Sequence, residues 1–74
     1  MAISYIKLWK LLLDKRMKKT DLLEVADIST TTLAKLSKNQ VVSMEVMGRI
    51  CKALNCDIGD VMEMLPDENN EKTE

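Results

Sequence analysis

The chain has 74 residues, enough for one small domain and no second one. Hydrophobic residues make up 46%, which excludes a disordered chain, and aromatics only 3%, so the core must be built from Leu, Ile, Val and Met. Histidine is absent and glycine occurs twice, which argues against general-base catalysis, common metal sites and phosphate-cradling loops. A small-molecule enzyme, a metal site and a cofactor are therefore not expected.

The net charge of −1 points to no partner, but its distribution does. Residues 1–38 carry eight basic and four acidic side chains, a net of +4; residues 39–74 carry three basic and eight acidic, a net of −5. A basic front half suggests a surface facing a polyanion. The opening run MAISYIKLWKLLLDKR has lysines inside its apolar stretch, so it fits neither a signal peptide nor a membrane span. Cys51 and Cys56 lie in an apolar stretch and are read as small core residues with reduced thiols, in a cytoplasmic protein.

Taken in chain order, Leu8, Leu12 and Leu13, extending back towards Tyr5 and Trp9, predict a first helix over about Ser4 to Lys15. A second runs from about Lys19 to Ala26, with Leu22, Val25 and Ala26 on one side and Thr20 favoured as its cap. A third spans Thr30 to about Lys38, with Leu33 and Leu36 inward. After a connector over residues 39–42, a fourth follows Ser43, with Met47, Ile50, Cys51 and Leu54 on one face. Asp57 opens a last short helix carrying Val61, Met62 and Leu65, which Pro66 stops. Ser29, Ser43 and Asp57 stand where a short side-chain oxygen caps free N–H groups, each cap contributing about 1 kcal/mol. No strand is expected. The fold class is all-α: a compact five-helix bundle over residues 1–65, followed by a frayed acidic tail over residues 66–74.

The second and third helices are joined by about three residues, which imposes the large crossing angle of a helix-turn-helix. Asp27 is the residue placed to take positive φ there. The outer face of the third helix then shows Thr30, Thr31, Ala34, Lys35 and Lys38 and no acid. Hydroxyls and lysines without a carboxylate suit a groove lined by phosphates and base edges.

Met17 to Leu36, MKKTDLLEVADISTTTLAKL, resembles the helix-turn-helix of the XRE family, the small Cro and phage-repressor-type DNA-binding domains. Ser43 to Met64, SMEVMGRICKALNCDIGDVMEM, resembles the fourth and fifth helices of a stand-alone subgroup of these regulators. The resemblance implies a phosphate contact for Lys19, a recognition-helix cap at Ser29, and base reading by Thr30, Thr31 and Lys35. It also implies a backbone contact for Thr32 and a sugar-phosphate grip by Lys38, Asn39 and Gln40. Five positions depart from the family pattern. Lys18 replaces a Ser or Thr cap, Leu23 a common Ala, and Asp27 the usual Gly. Leu12 and Ser37 stand where many relatives pair Arg with Glu.

The implied function is a sequence-specific regulator of transcription, a repressor, binding operator DNA as a homodimer without a small-molecule ligand or membrane. Val61, Met64 and Leu65, or Tyr5 and Trp9, are the candidate dimer contacts. The rival reading is a protein-interaction module, such as an antitoxin-like partner, on the same fold. Each feature also has a bland explanation: the lysines as a solvated face, Thr30 to Thr32 as a weakly helical start, the methionines and Trp9 as core.

Overall fold

The computed structural model describes residues 2–66. The order of elements is β1 (Ala2–Ser4), α1 (Ile6–Asp14), α2 (Asp21–Val25), α3 (Thr30–Ser37), α4 (Met44–Leu54), a 3-10 turn (Ile58–Asp60) and β2 (Glu63–Leu65). The four α-helices stand where the apolar spacing puts them. Ser29, Ser43 and Asp57 all act as N-caps, accepting from the backbone N–H of Thr32, Val46 and Ile58 respectively.

The five-helix bundle expected from sequence is corrected at both ends of the described chain. Asp57 and Asp60 do form a reciprocal capping box, but the helix they open lasts only one 3-10 turn. The segment before Pro66 is too short to repay helix nucleation, and proline disfavours helical backbone at the residue before it. Glu63–Leu65 instead pairs antiparallel with Ala2–Ser4, in the register Ala2 to Leu65, Ile3 to Met64 and Ser4 to Glu63. Ser4 is therefore a buried strand residue and not the start of α1; its Oγ accepts from the Ile6 N–H. The acidic tail expected over residues 66–74 lies, beyond Pro66, outside the described residues.

The core is aliphatic, as the composition requires. Tyr5, Leu8, Leu12, Leu22, Ala26, Ile28, Leu36, Met47, Ile50, Leu54 and Val61 are all buried in one cluster. Complete burial of each Leu, Ile or Val contributes about 1.5–3 kcal/mol. Three inward assignments are corrected: Leu13 is 74% exposed, Val25 49% and Leu65 40%. A short helix buries a narrow stripe: Leu13 comes one residue after buried Leu12 and Val25 one before buried Ala26, and both rotate out of it. Leu65 leaves the core because its backbone is extended.

Each helix ends in a residue with left-handed backbone, and none of the four is glycine: Arg16, Asp27, Asn39 and Asn55, with φ of 54–59°. After α1, α3 and α4 the next N–H reaches back to close the last turn: Met17 to the Leu12 carbonyl, Gln40 to Lys35 and Cys56 to Cys51. That closure brings Cys51 and Cys56 together. Both thiols are free, half-buried and packed against the core, and burial, then the neighbouring Cys51, pushes the Cys56 thiol pKa up.

Tyr5 joins the strand pair to the segment after α3. Its backbone N–H donates to Asn39 Oδ1 at 3.2 Å, and its hydroxyl donates to the Gln40 carbonyl at 2.8 Å. Burial pushes the phenol's pKa up, partly offset by the Val42 backbone. Tyr5→Phe should keep the fold and lower unfolding free energy by about 1 kcal/mol, the usual worth of one such bond. Urea denaturation of the two proteins checks this; an unchanged midpoint would remove the hydroxyl from the account.

Candidate nucleic-acid interface

α3 is held by its inner side and open on its outer side. Leu36 has no exposed surface, and Leu33 is half-buried against the same core. Thr30, Thr31, Ala34, Lys35 and Lys38 are exposed, as the 3.6-residue period demands. At the start of α3 the hydroxyls of Ser29 and Thr32 are tied together. Ser29 Oγ accepts from the Thr32 N–H at 3.1 Å and donates to Thr32 Oγ1 at 3.1 Å.

The exposed strip continues past the helix through Lys38, Asn39 and Gln40. No acidic residue occurs from Ile28 to Met44. Asn39, in the left-handed region, turns the chain, and its amide oxygen is committed to Tyr5. Among the described residues, its amide NH2 and the Gln40 side chain make no hydrogen bond. The expected site residues 29–32, 35 and 38–40 thus form one continuous strip. Lys19 stands apart on the turn between α1 and α2, exposed, with its ammonium 4.2 Å from the centre of the Trp9 ring.

The angle at which α3 is presented depends on the turn before it. Asp27 takes φ of 54°, and Ile28 is buried directly after it. Arg49, one turn into α4, reaches across: Nη1 donates to the Asp27 carbonyl at 3.1 Å, and Nη2 to Glu45 Oε2 at 2.7 Å. Sequence reasoning missed Arg49. The i,i+4 spacing of Glu45 and Arg49 was visible, but not that the same guanidinium would clamp a carbonyl 22 residues earlier. The start of α2 also departs from expectation. Thr20 makes no side-chain cap; instead the Lys18 N–H donates to Asp21 Oδ2 at 2.9 Å. The Asp21 carboxylate thus makes the return half of a capping box, whose forward half Lys18 has no side-chain acceptor to supply.

The profile of the Cro/C1-type HTH DNA-binding domain matches residues 7–67. The chain belongs to this family. The resemblance drawn from Met17–Leu36 and Ser43–Met64 is thereby shown. Among solved structures, this Cro/C1-type chain is similar to that of the transcriptional regulator VanUg (crystal form II). The two share 53% identity over 89% of this chain and 88% of that one, with a TM-score of 0.85. No curated protein sequence matches. Among the described residues no helix is long and apolar enough to cross a membrane.

The Arg49 clamp gives a stability test that separates its two bonds. The ion pair with Glu45 is exposed and is worth less than about 0.5 kcal/mol, whereas the bond to the Asp27 carbonyl holds a strained turn. Arg49→Met should therefore destabilise the domain by about 1 kcal/mol and Glu45→Gln by less than half of that, read by thermal melting. Equal effects would mean that the clamp on the turn contributes nothing.

Proposed function

We propose that this Cro/C1-type domain is a sequence-specific regulator of transcription, acting as a repressor, that reads operator DNA in the major groove with α3. The observation that carries the reading is the acid-free strip from Thr30 to Gln40, exposed on an element whose opposite side is locked in the core. Small hydroxyls and lysines on such a strip match base edges and phosphates, and a carboxylate there would be repelled. The 53% identity to a transcriptional regulator supports the same reading. Thr30, Thr31 and Lys35 take the base edges; Lys19, Thr32, Lys38, Asn39 and Gln40 take the sugar-phosphate chain, and Ser29 caps the helix that presents them. No step of covalent chemistry, no cofactor and no small-molecule ligand enters this function, and its place is the cytoplasm.

One α3 reads too few base pairs to define a site, so the acting form is a homodimer with its two reading helices about 34 Å apart. Of the dimer contacts expected from sequence, Val61 and Tyr5 are buried and drop out, and Trp9 is only half-exposed. Met64 and Leu65, exposed on β2, remain.

Two experiments test the proposal. Gel shifts with the DNA upstream of the protein's own gene should show that Lys35→Ala weakens operator binding by about 5- to 150-fold, as expected for a base contact worth about 1–3 kcal/mol. Binding to random duplex should fall far less. Equal loss on both would reduce Lys35 to a phosphate contact. Footprinting should then show inverted half-sites about 10 base pairs between centres. Protection of a single half-site by a monomer would refute the dimer, and binding of a protein but no DNA would favour the interaction-module reading.

A further inference from the structure

Trp9 is the sole tryptophan of a chain whose core is otherwise almost wholly aliphatic. It stands half-buried in α1, one wall of a groove of about 340 Å3 lined also by Leu12, Leu13, Met17, Lys18 and Lys19. An aliphatic side chain would fill this wall equally well. What it would not provide is the face of a π-system, and that face is used: the Lys19 ammonium lies 4.2 Å from the ring centre.

We infer that Trp9 is a positioning residue for Lys19: its ring holds the exposed ammonium in place, still charged, for a DNA phosphate. The inference rests on the DNA reading above and adds to it a residue that touches no DNA. A lysine side chain has four rotatable bonds and loses their freedom when it grips a phosphate. A neighbouring carboxylate could hold it still, but would cancel the charge that displaces counterions from DNA. An aromatic ring orients the ammonium without neutralising it. It occupies one side of the group and leaves N–H donors free for phosphate oxygen. Lys19 therefore meets the duplex with part of its ordering already done.

Phosphate contacts carry no sequence information, so a random duplex of about 30 base pairs is a sufficient probe, titrated at low and at moderate salt. Trp9→Leu should weaken binding about 2- to 5-fold, the range of an exposed cation–π contact, while leaving the salt slope at the parent value. Lys19→Ala should lower that slope by about one unit. In the Lys19→Ala background, Trp9→Leu should have no further effect on affinity. A merely structural tryptophan would give the same loss in both backgrounds. Trp9→Phe, which keeps a weaker ring, should fall between parent and Trp9→Leu, and carries the same comparison if Trp9→Leu fails to fold. Additive losses, or a Trp9→Leu protein that binds as tightly as the parent, would overturn the inference alone. A parent that binds no duplex would overturn the DNA reading and this inference with it.

Discussion

Everything on the outer surface of this domain depends on how Leu22, Ile28, Leu36 and Ile50 are removed from water. They come from α2, the turn after it, α3 and α4, and they share one small core. Two helices joined by so short a turn can bury both inner sides only by crossing steeply, and the crossing turns the opposite side of α3 outward. The strip from Thr30 to Gln40 is thus a geometric consequence of aliphatic burial, and not a feature added to a finished fold. Its polarity then follows from which residues the sequence places at the outward positions.

The turn that makes the crossing possible is held from two directions. Asp27 accepts the left-handed backbone that glycine takes more easily, and Arg49 anchors the carbonyl of that same residue from α4. At the far end of α3 the arrangement is repeated with different chemistry: Asn39 makes the left-handed turn, and Tyr5 binds both its side chain and the next carbonyl. α3 is consequently held at each end by a residue from a distant element.

Much of this was legible in the residues, and the exceptions share a cause. The four helices announce themselves through local spacing and caps: Ser29 and Ser43 need only the three residues that follow them. Asp27 is legible because the joint is too short for any other solution. The strand pair was not legible, because Ala2–Ser4 is three residues long and its partner lies at the other end of the domain. Nothing within Glu63–Leu65 distinguishes a strand from the last turn of a helix until Ala2–Ser4 is beside it. Arg49, Tyr5 and the Trp9–Lys19 contact were missed for the same reason. Each acts across the fold, and a chemically ordinary Arg, Tyr or Trp carries no local sign of its distant partner. The strip over residues 29–40, by contrast, is contiguous in sequence, so its outward positions follow from the helical period alone.

The pairing of Ala2–Ser4 with Glu63–Leu65 has a bearing on the order in which the chain assembles. The contacts that build α2, the turn and α3 span few residues and close quickly, whereas joining the two strands must first bring the most distant described segments together. On these grounds α2, the turn and α3 assemble early, and the strand clasp, which buries Ser4 and carries Tyr5 to its place beside Asn39, forms late. Under mild destabilisation the order reverses. The clasp opens first, releasing the far end of α3 while the turn at Asp27 is still closed, so that amide hydrogens of the strand pair would exchange well before those of α4.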